Sequence, residues 1–350
     1  MSSSIPGGAP GGARPPRVAN SVPPSLSRSL SKTLAGHART VGWRVVRALR
    51  SEPAATSEPW SAVVEDPRIG PVRLSGRLRR PAGPAGSGAG GLLVVVHGLA
   101  ASADAAYAVR AARAADAAGL ACLRLNLRGA DRSGEDYYHA GLTEDLRAAL
   151  ASPALAAYDR VALLGFSLGG HVALRYATEE ADPRLRAVAA VCAPLDLAAG
   201  GRLIDRPALW AYRRYLLGHL REIYRAVARR REVPVPVEAA RRIRTFRDWD
   251  TRVVAARHGF RDAADYYERM SVGPRLDRLS VPAFLVGAED DPMVPPEAVR
   301  PVLAGRDVPL EVRWVAAGGH MAFSRGLDLG LGGPPGVEPQ LVAWLTRQIG

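Results

Sequence analysis

The chain has 350 residues, 47% of them hydrophobic, two cysteines and a formal net charge of +13. That length buries a large core, while the absence of any apolar run of roughly 20 residues, or of an apolar N-terminal leader, excludes a spanning helix and a secretory signal, so a cytoplasmic protein is expected. The charge lies in two segments, residues 1–50 with eight bases and no acid and residues 195–275 with eighteen arginines against ten acids, and no zinc-finger, basic-zipper or RNA-recognition pattern accompanies it, so no nucleic-acid partner is expected.

Residues 1–33 are Ser, Pro, Gly and Arg with little to bury, and disorder is expected there. From Leu34 to Arg50, Leu34, Val41, Val45 and Leu49 share one helical face and Arg39, Arg44, Arg47 and Arg50 the other. A basic tail with an amphipathic helix is therefore predicted over residues 1–55. Next come β-like stretches, "SAVVED" and "GPVRLSGRLRRP", and a Pro/Gly/Ser-rich break from Pro81 to Gly91. Apolar runs then alternate with helical segments: strands over 92–98, 120–129, 160–167 and 187–194, helices over 104–118 and 143–151 and from Leu168. Continuous apolar strands separated by helices define an α/β fold with a mostly parallel sheet covered on both faces. The rhythm breaks at 196–275, which is helix-like and arginine-rich, and strands resume over 281–291 and 309–320. The predicted organisation is a core over 56–195 and 276–350 with a helical cap inserted between, over the carboxyl ends of the strands, where ligands bind in such sheets.

"LLGFSLGGHVAL" sets Ser167 between Gly165 and Gly169, after an apolar strand and before a helix. With 36 glycines in the chain the pattern alone is weak; its place gives it meaning, because a sharp strand-to-helix turn needs small neighbours and lifts the hydroxyl above the sheet edge. A serine nucleophile needs a histidine base, and the histidine needs a carboxylate. His320 in "AAGGHMAF" ends the last predicted strand, 153 residues on. "GAEDDPMVP" supplies the acid: spacing from Gly287 selects Asp290 and spacing from Pro295 selects Asp291. Glu289, Asp290 and Asp291 also admit a metal reading, but consecutive loop residues rarely aim at one ion, and no cluster has zinc spacing. No metal and no cofactor are expected. Backbone N–H groups of Leu168 and of Leu99, in "VVVHGLAAS", are the candidate oxyanion donors, with His97 shaping that turn. Cys122 and Cys192 read as small hydrophobes in buried strands, and His139, His171 and His258 as packing residues.

These residues resemble those of the α/β-hydrolases, and more narrowly the YheT-like branch that includes the mammalian ABHD1, ABHD2 and ABHD3 proteins. The resemblance runs from about Val72 to the C-terminus. It rests on "VHGLAAS", "LNLRGADRS" followed by "YYHAGLTEDL", "GFSLGG", "AARHGFRDAADYYERMS", "VPAFLVGAEDDP" and "GGHMAF". Phe284 departs from the aliphatic usual at its position, and the basic tail has no counterpart. The branch tolerates Asn at the first acid of the pair, which implies Asp291 as the triad acid. It also implies a serine hydrolase of small acyl esters, lipid esters included, working through an acyl-serine intermediate. An acyltransferase with the same triad, or a non-catalytic binding protein on the fold, are the alternatives; dehalogenase and epoxide hydrolase chemistry need an aspartate where Ser167 stands. The charge predicts peripheral contact with anionic membrane surfaces through Arg229, Arg230 and Arg231 near Leu216, Leu217 and Leu220. Coding bias, signalled by Lys32 as the single lysine, predicts none.

Overall fold

The computed structural model describes residues 56–81 and 90–350; the basic tail with its Leu34–Arg50 helix, and most of the Pro81–Gly91 break, lie outside them. The strands in chain order are β1 (Glu58–Asp66), β2 (Gly70–Arg79), β3 (Gly91–Val96), β4 (Ala121–Asn126), β5 (Arg160–Phe166), β6 (Leu185–Val191), β7 (Ala283–Ala288) and β8 (Leu310–Val315). They form one sheet in the order β1-β2-β4-β3-β5-β6-β7-β8. β1 and β2 pair antiparallel, β2 pairs antiparallel with β4, and every later pairing is parallel.

Burial follows the sequence pattern. Every residue of β3, β4 and β7 is buried, as continuous apolar strands must be when helices cover both faces. β1, β2 and the edge strand β8 alternate instead. Side chains of β3 divide between two cores: Leu92, Val94 and Val96 pack on one face of the sheet, Leu93 and Val95 on the other. Helices α1 (Ala106–Ala117), α2 (Glu144–Leu150) and α3 (Leu168–Ala177) connect the first parallel strands. Between β6 and β7 the described residues contain only helices: α4 (Leu197–Ile204), α5 (Trp210–Ala228), α6 (Val237–Arg242), α7 (Phe246–Trp249) running into a π-helical turn (Asp250–Ala255), and α8 (Ala263–Met270), with shorter turns between. α9 (Pro296–Leu303) joins β7 to β8, and α10 (Val337–Ile349) packs beside α1.

Several strands end earlier than the sequence reading places them, β8 by the most. β8 stops at Val315, and residues 316–319 carry the chain to His320 as a loop. Ala316 and Ala317 extend the apolar run in the sequence, but both are exposed. Loops at the carboxyl ends of β3, β5, β7 and β8 thus hold Leu99, Ser167, Asp291 and His320 respectively, on the side of an open parallel sheet where ligands bind.

Candidate active site

Ser167 adopts φ 51° and ψ −118°, a conformation an L-residue occupies only under constraint. Its neighbours supply that constraint. A Cβ on Gly165 would lie 2.3 Å from the Gly169 carbonyl oxygen, and one on Gly169 would lie 2.3 Å from that of Val96. The Ser167 N–H donates to Val191 O at 2.7 Å, fixing the turn to the end of β6. Strain of this kind surrounds the site. The non-glycine residues with positive φ among those described are Ala100, Arg132, Ser167, Cys192 and Met321. Four of them line the cleft above Ser167, and the fifth touches Asp291.

His320 bridges the serine and the acid. Its Nε2 lies 2.9 Å from Ser167 Oγ and its Nδ1 2.9 Å from Asp291 Oδ2 and 3.1 Å from Oδ1. An ionised carboxylate only accepts, so the Nδ1–H donates to Asp291 and Nε2 presents its lone pair to the serine hydroxyl. Asp291 Oδ1 also accepts the N–H groups of Met293 at 2.8 Å and Val294 at 2.9 Å. Burial pushes the Asp291 carboxyl up, but its charge and hydrogen-bond interactions with His320 and the two backbone donors outweigh this and hold it below the usual carboxylate range. Of the acid pair that the sequence left open, Asp291 is thus the one facing the imidazole. The three acids do not converge on one point, since Glu289 turns to Arg300.

The loop after β3 is braced by groups the sequence reading passed over. Gly98 N–H donates to the Tyr107 hydroxyl and Ala100 N–H to the Tyr138 hydroxyl, each at 3.0 Å, and Ala101 N–H to Gly98 O at 3.3 Å. Leu99 lies between these braced amides and lines both cavities at Ser167. Leu168 opens α3, where a helix has no internal acceptor for its N–H. His97 shapes the turn as expected: its Nε2 accepts from Leu127 N–H and its Nδ1 lies 2.8 Å from Gly98 O. Burial lowers its pKa to about 4, keeping it neutral. His139 and His258 pack together at 4.4 Å between ring centroids, and His171 ties the Pro194 and Met270 carbonyls together from α3.

Cys192 is a free, buried thiol as expected, but it follows the end of β6 and does not lie within it, and its thiol, an Asp291 oxygen and a His320 nitrogen lie within 4.8 Å of one another. Burial, and then the Asp291 charge, push its pKa up, so it stays a thiol. An apolar run of small residues carries no sign of this, because the contact is made across the sheet.

Two cavities meet at Ser167 and His320. The outer, about 790 Å³, has a mixed wall in which Asp131, Arg132 and His219 stand among apolar side chains. The inner, about 140 Å³, lies between the strand-end loops and the helices that follow β6, and its lining includes Ile204, Leu216, Trp249 and Val254. One carboxyl lines it, beside three tyrosines and two histidines: Asp250, in the π-helical turn, whose Oδ2 accepts from the Tyr267 hydroxyl at 2.6 Å. Burial raises the Asp250 carboxyl to about 7, against the pull of the Tyr267 bond and with a further push from Asp205. π-helical turns recur at functional sites, and no sequence periodicity announces one.

Residues 91–327 match the family model described as the alpha/beta hydrolase fold, and the chain belongs to that family. Within it, the chain stands with the YheT-like branch. It is 31% identical over 271 residues to the Escherichia coli (strain K12) protein YheT, assigned as an esterase, covering 73% of this chain and 74% of that one. It is 25% identical over 252 residues to the mouse phospholipase ABHD3, covering 67% of this chain and 59% of that one. Among solved structures, a 2,6-dihydroxy-pseudo-oxynicotine hydrolase superposes with a TM-score of 0.53 at 21% identity over 93% of this chain and 75% of the other. A Pyrococcus furiosus esterase superposes with a TM-score of 0.50 at 18% identity over 76% and 84%. These two likenesses concern the fold.

Proposed function

We propose that this α/β hydrolase cleaves carboxylic esters through an acyl-serine intermediate, with Ser167 as nucleophile, His320 as base and Asp291 as the acid that orients it. The observation that carries the reading is the single imidazole spanning a serine hydroxyl and a buried carboxylate, each at 2.9 Å. His320 takes the Ser167 proton as Oγ bonds to the acyl carbon; the tetrahedral oxyanion is met by the N–H groups of Leu99 and Leu168. The C–O bond to the alcohol then breaks as His320 returns the proton to the leaving oxygen, and water repeats the sequence to free the acid. The helices between β6 and β7 act as the cap that bounds the substrate, and the esterase and phospholipase assignments of YheT and ABHD3 support an acyl ester as its class.

A fluorophosphonate probe tests the reading. Wild-type protein is expected to label on Ser167, with labelling lost in Ser167→Ala and methyl ester turnover lost with it. Undiminished labelling of Ser167→Ala overturns the nucleophile assignment, and no labelling of either protein favours a binding role on this fold. Product analysis with added alcohols separates hydrolysis from acyl transfer.

The cap also offers a lipid-facing surface, though not the one expected from the sequence. Leu216, Leu217 and Leu220 are buried, and the Arg230 and Arg231 guanidiniums bond to backbone carbonyls, including those of Arg132 and Ile69. The amphipathic pattern of α5 gives the stripe but not the direction in which it points. Trp210 and Tyr215 are exposed instead, at 61% and 41%, on the stretch of α5 that carries Arg213 and Arg214 and borders the outer cavity. That stretch is the membrane-facing candidate.

A further inference from the structure

The two cavities at Ser167 have different jobs in an ester hydrolase, and the following rests on the reading just given. The alcohol must leave after acylation and water must then enter, which suits the larger cavity, whose wall carries more polar groups than the smaller one's. The acyl group stays attached to Ser167 until water attacks it, which suits the smaller one. Its volume, about 140 Å³, is close to that of an apolar protein cavity of about 150 Å³ that takes up benzene, a six-carbon guest.

The wall facing the strand-end loops comes from the cap, and there the lining changes character. Asp250 accepts one hydrogen bond from Tyr267, and a carboxylate has further lone pairs to offer. The ionisable groups acting on it are Tyr267, a donor already engaged, Tyr266, whose hydroxyl meets Ala140 N–H, and Asp205, a second acid; none of these is a cation. Gly201 of α4 keeps this end open, because a Cβ there would lie 3.0 Å from the Tyr267 hydroxyl. A buried carboxyl in the wall of an apolar cavity is costly to ionise unless a donor reaches it.

We infer that the inner cavity is an acyl pocket for chains of about six carbons whose far end bears a hydrogen-bond donor, hydroxyl or ammonium, received by Asp250. Asp250 and Tyr267 then set specificity, and Ser167 and His320 the chemistry.

The test compares methyl esters of hexanoic, heptanoic, dodecanoic, 6-hydroxyhexanoic and 6-aminohexanoic acids at about pH 8, where the carboxylate is ionised. In wild type, hexanoate is expected to exceed dodecanoate in kcat/KM. At least one donor-bearing ester is expected to exceed heptanoate, its apolar match in length, by about tenfold, and the hydroxyl and amino arms say which donor is taken. Asp250→Leu should reverse that preference, and Asp250→Asn, which keeps the shape, should reduce it. Gly201→Ala should move the chain-length optimum downward. Equal turnover of hexanoate and dodecanoate, or a donor preference unchanged in both Asp250 variants, overturns the inference while leaving the hydrolase reading intact. If no ester is turned over, the hydrolase reading fails and the pocket is read by thermal shift. There 6-hydroxyhexanoate or 6-aminohexanoate should stabilise wild type more than heptanoate does, and this difference should vanish in Asp250→Leu; equal shifts overturn the inference.

Discussion

A carboxylate beside an imidazole fixes which nitrogen carries the proton, and that makes the two neighbouring acids separable by experiment. In Asp291→Asn the amide can donate to Nδ1, which moves the ring proton to Nε2 and removes the base from Ser167. Loss of about ten-thousand-fold in kcat is expected, as for the same exchange in a serine protease. Asp290→Asn leaves the His320 contacts in place and should cost far less; steady-state kinetics on a short ester decide, and the reverse ranking would shift the role to Asp290. Asp250 gives a second residue-scale test. Its carboxyl rises from 3.8 to about 7, so between those values the folded protein holds a proton that the unfolded chain has released. Stability therefore falls as pH climbs through that window. Asp250→Asn removes the effect, so its melting temperature relative to wild type should climb from about pH 4 to 7 and then level off; parallel melting curves would show that Asp250 is ionised throughout. Ser167 and His320 were legible in the sequence because each sits at a strand end in a fixed order. The choice within Asp290 and Asp291 was not legible from spacing, since it depends on the Met293 and Val294 N–H groups that capture one carboxylate. Asp250 left no trace, being an acid among the many charges of an arginine-rich segment.

Among the elements, the β4–α2 connection shows why "LNLRGADRS" and "YYHAGLTEDL" are both needed to hold the site. Arg128 is 1% exposed, and its guanidinium meets Asp145 at 2.7 Å, Asp66 at 2.7 Å and Asp136 at 3.2 Å. Asp136 also takes Arg257 from the cap at 2.9 Å. One buried cation thus ties β1, the loop after β4 and α2 together, with Arg257 extending the network to the cap. Removing it strands Asp145, which has no solvent contact, and leaves Asp136 with Arg257 alone. Arg128→Met is expected to lose about 3–5 kcal/mol of stability in urea denaturation, and a loss under about 1 kcal/mol would mean that the acids take up protons or water instead. The strands feeding this network were readable as apolar runs, because burial on both faces leaves no other composition. The π-helical turn and the break between α7 and α8 were not, since helix patterning reports a buried stripe and not the register slip that puts Asp250 into the cavity.

For the whole molecule, the question is what the basic cap is for. Seen in sequence, residues 195–275 hold eighteen arginines against ten acids; folded, several of these arginines are spent on internal acceptors, as Arg221 and Arg257 are. The charge left for a partner is smaller than the count implies, and its value depends on the apolar groups beside it. Trp210 and Tyr215 provide them, next to Arg214, in the arrangement that seats a helix at a membrane interface, while Arg213 is spent on the Ile204 and Arg206 carbonyls. Each arginine adds about 1 kcal/mol at an anionic surface, and the effect fades within a Debye length of about 8–10 Å. Co-sedimentation is therefore expected with vesicles containing phosphatidylserine and not with phosphatidylcholine alone, and it should weaken as salt is raised. Trp210→Ser with Arg214→Ser should release the protein from those vesicles while leaving hydrolysis of a short water-soluble ester within about twofold, because both lie outside the cavities at Ser167 and surface substitutions away from the core cost little stability. Binding that survives the double substitution would assign the contact to another face, and absence of binding in every lipid would leave the arginines explained by coding bias.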